Sequence, residues 1–291
     1  MLSNRFIYIW FGLILICLGV LYAAVIKFLV DDWINLPDFS HGFLIPIISL
    51  YIVYEKRREW SKVIFEGQWS GLFWICLGVL LLLVGNLATE YFIMRLSLLL
   101  VLGGIILFLA GMGPLKILLF PLGYLIFMIP IPSIFLDRVT FPLQLFASKI
   151  SADALHLAGI PALREGNIIQ LANTSLEVAE ACSGIRSLIS LLALSVAFAY
   201  FSQKTFLKRL FLVLTTFPIA ILANVARVSG TGFLAYFYGD SVAQGFFHSF
   251  SGWLLFVVAF FCLFGVSVFL SKFKDERSPS KSIDKGSPDH V

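Results

Sequence analysis

The chain has 291 residues, of which 59% are hydrophobic and 13% charged, and its net charge is +4. Its mean hydropathy is +0.95. Soluble domains carry roughly 25% charged residues, so this composition excludes a water-soluble globular protein. The charged residues form no basic stripe with interleaved aromatics, which excludes nucleic acid as a partner. Long apolar runs recur along the chain, as in proteins that cross the membrane repeatedly.

A backbone inside lipid must satisfy its own hydrogen bonds, which predicts that the apolar runs are helices. We therefore expect an all-α polytopic membrane protein with about eight transmembrane helices. They lie near residues 6–30, 41–54, 70–87, 91–110, 114–131, 183–201, 208–228 and 247–270. The first run is too long for a signal peptide and has no small-residue cleavage site behind it. The second run is short, and Pro46 is expected to kink it.

Lysine and arginine accumulate in cytoplasmic loops, so their distribution predicts the orientation. With the N-terminus inside, the inner segments and the adjoining span ends hold 14 of these residues. The outer segments hold only Arg138, Lys149 and Arg164. The bias predicts a multi-pass protein of the cell inner (plasma) membrane with both termini in the cytoplasm.

The outer segment between the fifth and sixth spans is long. Residues 139–159 predict an amphipathic helix that lies in the interface or re-enters the membrane. Its apolar side would carry Phe141, Leu145, Ile150, Ala154 and Leu157. Residues 166–178 alternate between apolar and polar side chains, which predicts a short hairpin. The charged tail, residues 272–291, is predicted to be disordered, so residues 1–271 are expected to form a single membrane domain.

Cys182 differs from the other cysteines in its position. Cys17, Cys76 and Cys262 fall within apolar runs, and the chain contains no Cys-x-x-Cys pattern, so neither a metal site nor another cofactor is indicated. Cys182 comes just before the sixth span, at the outer water boundary, where a helix N-terminus favours the reactive thiolate. The alternative is a small apolar side chain in a turn.

Three neighbours of Cys182 suit a reactive site. Arg186 follows one turn later and adds positive charge on the same side. Ser183 and Gly184 are small and leave room for the backbone of a substrate.

Arg227 and His248 are expected at the same depth as Cys182. Arg227 is placed at the outer end of the seventh span, with Asn224 three residues earlier on the same helix face. His248 begins the eighth span. A snorkelling arginine and an interfacial histidine are the simpler explanations. Together, however, the three side chains supply a nucleophile, a proton carrier and a cation for an oxyanion. His41 is a fourth outer candidate.

These residues stand in four blocks that resemble the exosortase/archaeosortase family. The blocks are Ala-Cys-Ser-Gly at 181–184, Asn-x-x-Arg at 224–227, a histidine at 248 followed by Gly252-Trp253, and Ser-His-Gly-x-x-x-Pro at 40–46. The resemblance covers most of the chain. It implies a membrane cysteine peptidase or transpeptidase, with Cys182 as nucleophile and with Arg227 and His248 as the other catalytic residues.

The resemblance also implies the substrate. Members of the family process exported membrane proteins that carry a C-terminal sorting signal, such as the PEP-CTERM tail, on the outer face of the membrane. Protein sorting and exopolysaccharide production are the associated processes. Whether the product is hydrolysed or transferred to an acceptor stays open at this point.

Three other functions compete with this hypothesis. A transporter or channel subunit predicts charged groups near the bilayer midplane and paired broken helices, whereas the polar residues here lie at one surface. An intramembrane serine protease would use Ser183, but Ala181 stands where the Gly-x-Ser-Gly pattern of such enzymes requires glycine. A purely structural membrane subunit predicts that substitutions at Cys182, Arg227 and His248 have no effect.

Overall fold

The computed structural model describes residues 4–60, 62–172, 174–178, 185–239 and 246–273, and it is mostly helical. The helices are α1 (Asn4–Leu21), α2 (Ala23–Asn35), α3 (Leu44–Glu55), α4 (Arg57–Trp60), α5 (Ser70–Leu87), α6 (Tyr91–Ala110), α7 (Met112–Tyr124), α8 (Ser133–Leu157), α9 (Ile185–Ser202), α10 (Phe206–Tyr238) and α11 (Phe246–Lys272). Two 3-10 helices, Pro37–Phe43 and Leu125–Met128, precede α3 and follow α7. The strands are β1 (Ala162–Glu165), β2 (Ile168–Leu171) and β3 (Ser175–Glu177).

Four of the described helices are long and apolar enough to cross a membrane, and the number rises to six if each of two bent helix pairs is one span. The four are α5, α6, α10 and the part of α11 from Gly252 to Lys272. The bent pairs are α1 with α2, at 64°, and residues 112–128 with α8, at 78°. The protein is therefore a membrane protein. The two further spans of the expected eight correspond to α3, whose 12 residues extend only about 18 Å, and to α9, whose apolar stretch Leu188–Ser202 is also shorter than the four.

Glycines bring α5 and α6 into close contact. Gly71, Gly78 and Gly85 are buried and recur every seven residues on the face of α5 that packs on α6. A Cβ atom at Gly78 would lie 2.5 Å from Val101 Cγ2 and 3.2 Å from the Ser97 carbonyl oxygen. Small residues commonly allow such backbone approach between membrane helices, where packing rather than the hydrophobic effect drives association.

Replacing Gly78 by leucine is expected to destabilise the protein by about 1–3 kcal/mol, because the new side chain forces the two helices apart. The matched control is Gly103→Leu on α6, since a Cβ atom at Gly103 has no neighbour within 4 Å. Unfolding of both purified variants in mixed micelles of increasing SDS fraction measures the difference. Equal midpoints for the two variants would contradict this packing.

A buried ion pair explains why a predicted span contains an arginine. Arg95, near the start of α6, has a side chain that is only 5% exposed, and its Nη2 lies 2.5 Å from Asp32 Oδ2 on α2. Nearby, the Tyr22 hydroxyl is 3.0 Å from Ser97 Oγ. These contacts attach the first bent pair to α6. The first predicted span is thus broken at Tyr22, which is fully buried where α1 ends and α2 turns away.

The segments predicted to face the cytoplasm meet at one end of the molecule. Lys56 and Arg209 both lie over the ring of Tyr200, at 5.8 Å and 5.0 Å from its centroid. Lys208 Nζ donates to the carbonyl oxygen of Phe273, 2.8 Å away. The backbone of Gly111 packs so closely on Glu66 that a Cβ atom would collide with it.

At the opposite end, α8 packs on α10 with a polar face. Its fully buried hydroxyls hydrogen-bond to other elements: Ser148 donates to the Gly166 carbonyl and Ser151 to the Val225 carbonyl, at 2.9 Å and 3.4 Å. Phe141 and Leu157 are instead 56% and 91% exposed. The expected amphipathic helix is present, and these two residues of its predicted apolar side face away from the protein core. Lipid can cover such a face, and buried polar groups must find partners inside the protein.

The predicted hairpin is part of a larger sheet. Strands β1, β2 and β3 form an antiparallel meander in which Ile169 pairs with Arg164 on one side and Leu176 on the other. Ile169 is fully buried in a cluster with residues of α8 and of the second half of α10. Because α8 and the sheet pack there, α10 continues ten residues beyond the predicted end of the seventh span, to Tyr238.

Candidate active site

Helices α9, α10 and α11 form a three-helix unit around one apolar cluster. Leu191 and Ala199 of α9, Leu212 of α10 and Leu263 of α11 are its most buried members. Alanine and leucine at these positions let the helices approach closely, as expected inside lipid. The two helices that contain Arg227 and His248 and the helix that follows Cys182 in sequence therefore pack directly against one another.

Arg227 lies where α10 meets α11. Its Nη2 donates to Asn224 Oδ1 at 2.7 Å, one helical turn earlier on α10. A Cβ atom at Gly252 of α11 would be 3.7 Å from Arg227 Nη1, an ordinary van der Waals contact, so the guanidinium lies against α11 at this glycine. Asn224 is 4% exposed. The expected Asn-x-x-Arg pairing on one helix face is thus present in the structure, but Arg227 is eleven residues from the end of α10, not at that end.

A small cavity lies beneath Arg227 in the same three-helix unit. Its volume is about 20 Å³. Its polar lining side chains are Asn224 and Arg227, and the rest of its wall is apolar. The residues that complete the wall are Leu191, Ala220, Ala223, Gly252, Leu255, Phe256 and Ala259. The arrangement offers hydrogen-bond donors within an apolar surrounding, where a hydrogen bond is electrostatically stronger than it is in water.

Several predicted site residues lie outside the described part. Cys182, Ser183 and Gly184 are among residues 179–184, which the structure does not describe. The backbones of Arg186 and His248 belong to α9 and α11, whereas their side chains are not described. In sequence, α9 begins three residues after Cys182, and His248 precedes Gly252 by one turn on the same face of α11.

The structure brings His41 against α9. His41 Nδ1 is 3.1 Å from the hydroxyl of Ser190. His41 lies in the first 3-10 helix, outside the candidate spans. Burial lowers its pKa below the usual histidine value, and backbone carbonyls of Phe127 and Asp38 oppose that shift. The ring is therefore neutral at neutral pH.

The glycine next to His41 has a packing role. Gly42 sits against the indole of Trp33, and any Cβ atom at this position would collide with the ring. Trp33 Nε1 in turn donates to the carbonyl oxygen of Met128 at 2.8 Å. The 40–46 block thus joins α2, the second 3-10 helix and α9. Ser190 carried no signal in the sequence, because its partner lies 149 residues away.

Comparison with known proteins agrees with the four blocks. The model of the transmembrane exosortase family matches residues 33–265. The chain belongs to this family. The searches of curated proteins and of solved structures returned no match. The exosortase region begins at Trp33, which packs against the 40–46 block, and it extends into α11. It therefore includes every candidate site residue, and the resemblance inferred from the four blocks is confirmed at the level of the family.

Proposed function

We propose that the protein is a membrane cysteine peptidase or transpeptidase that cleaves C-terminal sorting signals of exported proteins on the outer face of the inner membrane. Membership of the exosortase family supports this class of reaction. The observation that carries the assignment of residues is the guanidinium of Arg227, held by Asn224 between two helices. One of these helices, α11, starts at the proposed histidine, and α9, which packs on both, starts beside the proposed cysteine.

Chain length limits how far Cys182 can be from Arg227. Val178 is 1% exposed and belongs to the same apolar cluster as Val225 and Val228, which flank Arg227 on α10. Cys182 follows Val178 by four residues and precedes Ile185 by three. Since an extended chain spans at most about 3.6 Å per residue, Cys182 lies within about 14 Å of the first and about 11 Å of the second.

Helix geometry sets a similar limit for His248. Gly252 is in contact distance of the Arg227 guanidinium. Residue 248 lies about 6 Å further along the axis of α11, at a rise of about 1.5 Å per residue. The proposal requires the imidazole of His248 to span this distance to a substrate bound at Arg227. The proposal therefore requires no large movement of the described helices.

The proposed reaction begins when the Cys182 thiolate attacks the scissile carbonyl carbon. A C–S bond forms, and the carbonyl π electrons move to the oxygen, whose negative charge Arg227 stabilises. The tetrahedral intermediate then collapses: the C=O bond re-forms, the C–N bond breaks, and the leaving amine takes a proton from the His248 imidazolium. A thioester of Cys182 remains.

Water or an external nucleophile completes the cycle. His248 accepts a proton from the attacking group, the new acyl bond forms, and the C–S bond breaks to release the thiolate. In the alternative mechanism, Arg227 transfers the proton and His248 stabilises the oxyanion, with the same two side chains at the site. However, a guanidinium does not deprotonate in proteins, which favours His248 as the proton carrier.

The membrane determines how the substrate is oriented and on which side its scissile bond lies. A sorting signal with an apolar helix would reach the enzyme by lateral diffusion, and its basic end would stay in the cytoplasm under the positive-inside rule. The scissile bond then lies on the outer side of that helix, at the level proposed for Cys182. Residues 202–209, at the other end of the unit, carry the basic groups of the inner side.

A membrane-impermeant maleimide is expected to label Cys182 in cells whose outer membrane has been permeabilised, and processing should fall in proportion. Cys17, Cys76 and Cys262 are exposed on the surfaces of α1, α5 and α11, which we assign to lipid, so a charged reagent should react with them slowly. Mass spectrometry of tryptic peptides measures each site. Labelling of Cys182 only in inverted vesicles would contradict the proposed orientation.

A further inference from the structure

The two polar atoms of the Asn224 side-chain amide differ in their hydrogen bonding within the described residues. Its Oδ1 accepts the hydrogen bond from Arg227 Nη2 at 2.7 Å. Its Nδ2, which carries two N–H donors, is buried and has no acceptor among the residues that the structure describes. Buried donors in native proteins nearly always have a partner. The amide nitrogen of a side chain that is 4% exposed therefore points to a ligand.

The cavity beneath Arg227 matches this donor in size and chemistry. It holds about 20 Å³, which is room for roughly one oxygen-sized group. Its side chains offer the Asn224 amide and the Arg227 guanidinium as donors, and Leu, Ala, Gly and Phe side chains provide the rest of the wall. Among the described lining side chains the one acceptor atom is Asn224 Oδ1, which already accepts from Arg227, so a water molecule has few partners for its own hydrogens there. An oxygen that only accepts hydrogen bonds, such as a peptide carbonyl or an oxyanion, fits better.

We propose that Asn224 is a catalytic residue, the second donor of the oxyanion hole, an assignment that rests on the proposed function above. Its Nδ2 and the Arg227 guanidinium bind the oxygen of the scissile carbonyl. When the sulfur of Cys182 bonds to the carbonyl carbon, the electron pair of the C=O bond moves onto this oxygen, and the two donors hold it. The pair returns when the C–N bond breaks and His248 gives its proton to the amine.

The contact between the two side chains makes them one preorganised unit. Because Asn224 Oδ1 already holds Arg227, the two donors keep a fixed relation before substrate arrives. Donors that are in place beforehand need no reorganisation at the moment of reaction. The same contact predicts that Asn224 acts mainly on the transition state, so its loss lowers kcat more than it raises KM.

Two substitutions of Asn224 separate its possible roles. Asn224→Asp keeps an oxygen for Arg227 and removes the N–H donor, whereas Asn224→Leu removes both without adding charge. The matched control is Thr216→Val on the same helix, because Thr216 is fully buried and its hydroxyl has no partner within the described residues. The assay is cleavage of a purified sorting-signal substrate in proteoliposomes, with kcat and KM measured separately.

Both Asn224 variants are expected to lose about 10²–10³-fold in kcat, the usual effect of removing one oxyanion donor, with KM changed less than threefold and Thr216→Val unchanged. A loss of kcat in Asn224→Leu alone would show that Asn224 only positions Arg227. A loss of kcat in Asn224→Asp alone would show that the new negative charge repels the oxyanion. Either result overturns the inference. Full activity of Cys182→Ala would overturn the proposed function itself, so the two failures are distinguishable.

Discussion

Replacing Cys182 by alanine is expected to lower the rate of substrate cleavage by about 10⁴-fold or more, to the background of the assay. The proposed reaction passes through a covalent thioester, and alanine cannot form it. Removal of the nucleophile in enzymes of this kind leaves only the contribution of binding and of the oxyanion site. Processing of a sorting-signal substrate, followed by immunoblot in cells and by mass spectrometry in proteoliposomes, measures the effect.

Two control variants test whether the loss of cleavage is specific to the Cys182 thiol. Cys262→Ala removes an exposed cysteine of α11 and should process substrate normally. Ser183→Ala separates a cysteine enzyme from an intramembrane serine protease, since only the second needs this hydroxyl. With Cys182 intact, brief incubation with substrate followed by acid quenching should trap a thioester at this residue. Normal processing by Cys182→Ala would end its assignment as nucleophile.

Arg227→Ala is expected to lower kcat by about 10³-fold or more. The substitution removes the positive charge from the developing oxyanion, and it also leaves Asn224 Oδ1 without the donor that lies 2.7 Å away. Arg227→Lys should recover only part of the rate, because an ammonium group cannot reproduce the planar, multiple-donor geometry of a guanidinium. The measurement is kcat per folded molecule in proteoliposomes.

Arg95 provides the matched control for Arg227. Arg95 is a buried arginine near the start of α6, whereas Arg227 is half-buried, and Arg95 pairs with Asp32 instead of lying in the three-helix unit. Arg95→Ala should reduce the folded fraction, since it leaves a partly buried carboxylate without its partner, and it should leave kcat of the folded protein within about twofold. A rate for Arg227→Ala within tenfold of the wild type would remove Arg227 from the mechanism.

The sequence alone predicted the position of a transmembrane helix correctly where hydropathy determines it. The spans predicted at 70–87 and 91–110 coincide with α5 and α6, because each is a uniform apolar run between polar turns. The contact between Asn224 and Arg227 follows from their spacing of three residues on a helix. The family was also accessible from the sequence, because its four blocks stand in order along the chain.

Other features depend on contacts between distant parts of the chain. The bend at Tyr22 has no proline, Gly19 one turn earlier is only a weak local signal, and the bend accompanies the hydrogen bond between the hydroxyls of Tyr22 and Ser97. The last ten residues of α10 have mixed composition and are supported by α8 and the sheet. The polar contacts of α8 had no signal either, because the spacing of apolar residues identifies the apolar face of a helix but not the partners of its polar face.

Under the proposed function, the length of α10 beyond Arg227 restricts which proteins can be processed. The helix extends for eleven more residues, about 16 Å along its axis, and α8 and the sheet are packed against that stretch. A folded domain of the substrate must therefore remain about 16 Å away from the guanidinium of Arg227. At about 3.3 Å per extended residue, a substrate needs a spacer of about five unfolded residues between its last folded element and its cleavage point.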